Sequence, residues 1–291
     1  MVKSESGINQ ALRAQAIKSG GVFCYSTLET LQHTYHLSEQ QLEAHLLEVA
    51  ATFATPPISQ FYVGAIAWDN QSKHAFLSAN LEFSRQALSL VVHAEQAAIN
   101  NAWLNGAKEI SKMTINAAPC GYCRQFMNEL STAKQLQILL PNGATSLPEL
   151  LPNAFGPSDL GNQHTLFNQA AVEPNQQSLP DGVSDALYQH YQLAYAPYSN
   201  NASAVEIRLH DGRYFYGRYA ENAAYNPSLS PLQGALSQLA LAGVELLDRS
   251  QVAGITLLET QGQSNQLAVS KAVLAAFDCQ DLLQHSEVAG N

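Results

Sequence analysis

Two short stretches carry residues whose types and spacing can do chemistry. In "LVVHAEQAAIN" (residues 90–100) His93 and Glu95 stand two apart at the start of an otherwise apolar, Ala-rich run. In "APCGYCRQF" (118–126) Cys120 and Cys123 stand three apart behind a proline. Pro-Cys-x-x-Cys arises by chance roughly once in several hundred chains of this composition, and a His-x-Glu shortly upstream makes the coincidence rarer. At the start of a helix, that cysteine spacing puts both sulfurs on one face, where the helix dipole favours thiolates.

One imidazole and two thiolates suit zinc, so His93, Cys120 and Cys123 are the expected metal ligands. Structural zinc sites close with four protein ligands, whereas three leave a position for water, whose pKa on zinc falls to about 7. Glu95 then has a purpose as the catalytic residue. It points into the same pocket without ligating, and a carboxylate there can take a proton from water and hand it to a substrate nitrogen. Two other readings remain open for the cysteines: a redox pair, which leaves His93 and Glu95 unexplained, and a closed structural site completed by Cys24 or Cys279. Both of those distant cysteines read as core thiols.

The positioning elements follow from periodicity. Residues 27–52 show helical spacing, with Leu42, Leu46 and Val49 on one face and Ser38 a candidate cap. "QFYVGAIAW" (60–68) and "HAFLSAN" (74–80) read as a hairpin. A helix over about 93–105, a strand over 112–117, a helix over about 121–131 and a strand over 136–140 follow. The order β-β-α-β-α-β implies one mixed sheet with helices packed against it. Residues 141–184, rich in Pro, Asn, Gln and Gly, read as an irregular linker.

The second half repeats the first. "PYSNNASAVEIRLHDGRYFYGRYAENA" echoes "PISQFYVGAIAWDNQSKHAFLSANLEF", matching Pro57 and Ser59 with Pro197 and Ser199, and Glu82 with Glu221. A helix at 231–243, a strand at 252–259 and a helix near 268–277 continue the parallel. The echo breaks at the chemistry, because "SPLQGAL" has neither His nor Glu where "VVHAEQAAI" has both.

Composition bounds the rest. A net charge of -10, with Lys and Arg scattered, gives no basic stripe and predicts no nucleic-acid partner. No segment has the apolar length of a signal peptide or a membrane span, so the expectation is a cytoplasmic protein with no membrane partner. Four cysteines are too few for a disulfide scaffold.

His-x-Glu followed by Pro-Cys-x-x-Cys is the signature of zinc deaminases acting on nucleobases. Beyond it, "NLEF", "VHAEQAAI", "PCGYCRQFMNEL", "LPNAFGP" and "AENAAYNPSLSPLQGAL" make residues 50–245 resemble the cytidine deaminase family, in its long, two-domain, homodimeric type. The resemblance implies a three-layer α/β/α deaminase fold with a mixed sheet, duplicated as a catalytic domain (50–155) and a degenerate domain without a zinc site (185–291). An N-terminal helical segment (1–49) and a linker (156–184) complete the organisation.

The resemblance also implies one Zn2+ per subunit and hydrolytic deamination of cytidine or deoxycytidine in pyrimidine salvage. It assigns Asn80 and Glu82 to the ribose hydroxyls, Phe61 to packing on the pyrimidine, and Phe155 to the pocket. The backbone around Ala224 and Tyr225 would come from the partner subunit of a homodimer, with the active sites near the subunit interface. Ala118 stands where relatives often carry a hydroxyl, and Tyr122 fills a variable place; both bear on hydrogen bonding around the ligands. Two rivals stay open: a deaminase of a nucleotide, free base or nucleic acid, and a non-catalytic zinc-binding module.

Overall fold

The computed structural model describes residues 7–169, 171, 179–246 and 248–290. The N-terminal segment is helical, as α1 (Gly7–Ser19), α2 (Tyr25–Tyr35) and α3 (Glu39–Ala51), with a two-residue strand β1 (Val22–Phe23) between the first two. Ser38 caps α3 in a capping box: its side chain accepts from the Gln41 N–H, while the Gln41 side chain accepts from the Ser38 N–H. Leu42, Leu46 and Val49 are buried as their spacing predicts.

The first repeat runs β2 (Gly64–Asp69), β3 (Ala75–Ala79), α4 (Ala94–Leu104), β4 (Ile110–Ile115), α5 (Gly121–Met127), β5 (Gln137–Leu140), β6 (Gly143–Ser146) and α6 (Leu147–Leu150). The second runs α7 (Asp185–Gln192), β7 (Ser203–Leu209), β8 (Tyr214–Arg218), α8 (Pro231–Leu241), β9 (Val252–Thr260), α9 (Leu267–Ala275) and β10 (Leu283–Val288). Among the described residues the strands form two sheets, ordered β1-β3-β2-β4-β5-β6 and β10-β9-β7-β8. The shared core order, β3-β2-β4-β5 against β8-β7-β9-β10, is the duplication made visible. Each half has one parallel pair, β4 with β5 and β9 with β10, and the other pairs are antiparallel. A register shift even recurs at matched places, Trp68/Asp69 and Arg208/Leu209.

The first sheet is buried on both faces, which makes the layers α/β/α. Ala65, Ala67 and Phe76 face the cluster containing α4, while Ile66, Ala75 and Leu77 face the cluster of the N-terminal helices. The former cluster runs on without a break into Val205, Leu232, Ala235 and Leu236, so one core joins the two halves.

Several boundaries differ from the sequence reading. The 60–68 strand begins only at Gly64, because the Asn80 and Asn116 side chains take up the Phe61 and Tyr62 carbonyls and the Val63 N–H ahead of it. The 112–117 strand starts earlier, at Ile110, and the 121–131 helix ends at Met127. The stretch 141–184 is not irregular throughout: β6 and α6 lie within it, and strand β10 was not anticipated. Residues 170 and 172–178 of the expected linker lie outside the described residues. Cys279 is a core thiol, but Cys24 is half-buried and bonds Ser26 and Thr27 at the start of α2.

Candidate metal centre

His93 is the N-cap of α4, and Cys120 is the N-cap of α5. Two helix starts therefore converge, and the ligand atoms of His93, Cys120 and Cys123 all lie within 4.8 Å of one another. The Cys120 Sγ to Cys123 Sγ distance is 3.4 Å, and Cys120 Sγ to His93 Nδ1 is 3.7 Å. A tetrahedral ion bonded at ordinary Zn–S and Zn–N lengths spaces such ligands by about 3.5–3.8 Å. The donor set and its spacing fit zinc.

The electrostatics separate the three ligands. The Cys123 hydrogen bond, then His93, hold the Cys120 thiol down at about 3, against the cost of its burial. Cys123 goes the other way, raised by its hydrogen bond with Cys120 and by burial. Burial works against charge on His93, yet the hydrogen bond and charge of Cys120 carry its pKa above the usual value. Cys123 is buried and Cys120 is exposed, so the group opens to solvent on one side.

Glu95 lies in the first turn of α4 and is 4 % exposed. Burial raises its pKa, opposed by its backbone N–H, by Cys123 and by the charge of His93. A carboxyl whose charged form is penalised by burial but answered by nearby donors is suited to taking and releasing a proton.

The other anticipated residues are fixed by hydrogen bonds to nearby backbone. Asn80 Oδ1 accepts from the Val63 N–H at 2.9 Å, and its amide donates to the Phe61 carbonyl at 3.0 Å. Asn116, which the sequence reading passed over, does the same one step on, accepting from Gly64 N–H and donating to the Tyr62 carbonyl. These two amides hold Phe61 at the surface, 59 % exposed. Glu82 accepts from the backbone N–H groups of Ile58 and Ser59 and from the Ser59 hydroxyl. Its pKa is lowered overall, burial being outweighed by the Ser59 and Ile58 hydrogen bonds, with His93 contributing by charge. Phe155 is placed through α5: its carbonyl accepts from Gln125 at 2.7 Å and Asn128 at 3.0 Å.

Tyr122 is no bystander. Its ring stacks on His93 with centroids 5.3 Å apart, and its hydroxyl donates to the Asn226 carbonyl of the second half. Gln96 accepts from the His93 N–H and donates to the Pro227 carbonyl at 2.8 Å. No local sequence signal marks these cross-half contacts; only the folded chain brings the partners together. The loop carrying Ala224 and Tyr225 is docked on α5 of its own chain, and Tyr225 is 66 % exposed.

In the second half, Ser230 replaces His93 as a capping-box N-cap. Gln266 stands at the N-cap of α9, the place of Cys120, and Tyr219, two residues before Glu221, stands where Asn80 precedes Glu82. Tyr219 hydrogen bonds Gln266 and is 8 % exposed, so the equivalent pocket is filled by side chains.

Comparison with known proteins agrees with this architecture. Family models for the cytidine and deoxycytidylate deaminase zinc-binding region match residues 38–139 and again residues 147–272. The cytidine deaminase of Aeromonas hydrophila is 42 % identical over 261 residues, covering 89 % of this chain and 88 % of that protein. Those of Vibrio parahaemolyticus and Shewanella sediminis are 44 % and 45 % identical, covering 86 % and 81 % of this chain and 84 % and 78 % of their own. With the metal ligands spaced for zinc in one half and replaced in the other, the chain belongs to the zinc-dependent cytidine and deoxycytidylate deaminase family.

Proposed function

We propose that this protein hydrolyses cytidine and deoxycytidine to uridine and deoxyuridine with release of ammonia, a reaction of pyrimidine salvage. The observation that carries this reading is a buried carboxyl, Glu95, beside a three-ligand His/Cys/Cys group that is open on one side. When bound by His93, Cys120 and Cys123, zinc supplies a Lewis acid that makes water acidic enough to ionise near neutral pH. Glu95 takes the proton from the attacking water and delivers it to ring N3 as the new C–O bond forms at C4. It then carries a second proton to the exocyclic nitrogen as the C4–N bond breaks, so water and cytidine leave as uridine and ammonia. One group thus serves as base and acid in turn, and its burial raises its proton affinity above that of an exposed carboxyl.

Asn80 and Glu82 support nucleoside over free-base recognition, since an amide and a carboxylate together donate to and accept from sugar hydroxyls. Glu82 retains acceptor capacity for this, as each carboxylate oxygen has two lone pairs. Phe61 and Phe155, both exposed, supply apolar faces for the pyrimidine. Glu95→Gln preserves shape and removes the proton carrier. It should retain zinc and cytidine binding while kcat falls by about 10²–10⁴, followed as loss of cytidine absorbance. Full activity in that variant would refute the assignment.

We also place the protein in the cytoplasm as a homodimer. Among the described residues the four cysteines form no disulfide, which suits a reducing compartment, and no helix is long and apolar enough to cross a membrane. Ile58, Phe61, Tyr62 and Tyr225 are exposed on loops and Leu88 on a short 3-10 helix, apolar surface that a second copy would cover. Light scattering should return twice the mass of one chain, and a monomer at micromolar concentration would exclude the dimer.

A further inference from the structure

Glu129 lies two residues past the end of α5, is fully buried and has no cationic partner among the described residues. Its carboxylate accepts from the Tyr195 hydroxyl at 2.6 Å, from the Tyr198 hydroxyl, and from the Ala223 N–H at 3.0 Å. All three donors belong to the second half of the chain. Burying a carboxylate is expensive unless its hydrogen bonds are satisfied, and these three donors meet that cost.

The duplication supplies an internal control. The residue after Glu82 is Phe83, and it meets Phe277 beyond α9 in an apolar edge contact, with centroids 6.0 Å apart. The residue after Glu221 is Asn222, and here the corresponding junction is polar. The fold can therefore close this junction with two aromatic rings, yet the half that carries the metal ligands closes it with a buried carboxylate.

The Glu129 contact is one of three along α5 and the turn that follows it. Tyr122 donates to the Asn226 carbonyl, Asn222 donates to the Gln125 carbonyl at 2.9 Å, and Glu129 accepts from Ala223. Tyr122 and Gln125 stand one turn apart on the helix, and Glu129 follows in the turn just past its end. That helix carries Cys123, and Tyr122 stacks on His93. The 222–226 loop of the degenerate half is thereby fastened along the helix that presents two of the three ligands.

We infer that Glu129 is a positioning residue of the deaminase site, which with Tyr122 anchors α5 and the His93 ring to the 222–226 loop, so that the degenerate half holds the metal ligands in register. This rests on the zinc deaminase reading above and gives the metal-free half a task in the reaction. Groups that orient metal ligands change affinity or activity by about 10–100-fold when replaced.

The test uses the full-length, zinc-loaded protein with Glu129→Gln and Tyr122→Phe, the latter keeping the stack and deleting only the hydroxyl. Two quantities are read: the rate of zinc loss to a chromogenic chelator, and kcat and KM on cytidine. Each variant should lose zinc about tenfold faster, with a kcat loss larger than any KM change. The double variant should fall short of the product of the singles, since both act through one loop. Zinc loss and kcat within twofold of the unmodified protein in Tyr122→Phe, and in Glu129→Gln if it folds, would overturn the inference, even if melting temperature drops. Should Glu129→Gln not fold, Tyr198→Phe, which removes one donor to the carboxylate, takes its place under the same criteria. Zinc loss is measured without substrate, so this arm decides the tether even if cytidine is not turned over.

Discussion

Glu82 has two tasks, and the repeat allows them to be separated. Glu221 accepts from the Tyr198 and Ser199 N–H groups and from the Ser199 hydroxyl, matching the contacts of Glu82 with Ile58 and Ser59. A set of bonds kept in the half without metal ligands belongs to the fold: the carboxylate pins a turn ahead of the first long strand of each repeat. Any sugar-binding task is what Glu82 adds. Glu82→Gln and Glu221→Gln should each cost about 1–2 kcal/mol in denaturant unfolding, because hydrogen bonds to a charged acceptor are weakened. Only Glu82→Gln should also raise KM for cytidine. An equal KM rise in Glu221→Gln would mean that the turn, and not the ribose, explains the effect. Asn80 has no such echo, since Tyr219 stands in its place, and it is the cleaner candidate for a role confined to the site.

Among the elements, β2 follows directly on the segment that carries Phe61, and Gly64 is its first residue. A Cβ there would stand 2.5 Å from the Ala51 backbone nitrogen and 2.9 Å from the Leu47 carbonyl, so α3 rests directly on the strand. The Gly64 N–H is also the donor that Asn116 receives. Gly64→Ala must push α3 away or displace the strand, at a cost of about 1–3 kcal/mol. The displacement should carry Phe61 with it and raise KM for cytidine. Unchanged stability and KM would show that the layer yields without strain.

Glycine at that place was visible in the sequence, but the helix that presses on it was not, because their contact depends on the path of the chain between them. The same distinction runs through the molecule. The metal ligands, Glu95, the Ser38 cap and the halves of the repeat were legible because each is written in short spacings or in a self-comparison. Strand β10 was missed because "LQHSEV" lacks the β-branched texture of a central strand; it lies at a sheet edge, parallel to β9. Glu129 and Gln96 were missed because their partners lie 66 to 131 residues away. The turn that ends α5 early is likewise where Glu129 leaves the helix for its partners in the second half.

At the scale of the whole molecule, the two halves meet as near copies. Gln96 of α4 reaches the Pro227 carbonyl, and Gln233 of α8, the equivalent residue, reaches the Leu90 carbonyl. A second junction breaks that symmetry. Arg218 at the end of β8 is 8 % exposed, and its guanidinium sits 5.2 Å from the Trp103 ring of α4. Its Nε donates to Nδ1 of His190 at 3.0 Å, and His190 stacks on Tyr216 with centroids 4.5 Å apart. That hydrogen bond requires a neutral imidazole with a free lone pair on Nδ1, and a second cation beside the buried guanidinium would be repelled. Burial, then the charge of Arg218, push His190 down to about 4. The sign follows from linkage. Between about 4 and 6.5 the unfolded chain binds a proton at His190 that the folded chain refuses, so this group's contribution falls as pH falls through that window and is constant above it. The gap corresponds to at most about 3 kcal/mol. His190→Asn removes the titration while leaving a side chain able to accept from Arg218. Urea unfolding from pH 7.5 to 4 should show the unmodified protein losing stability more steeply than the variant, the excess growing below pH 6.5. Parallel curves would mean that His190 titrates alike in both states and that this junction does not set the acid limit of the fold.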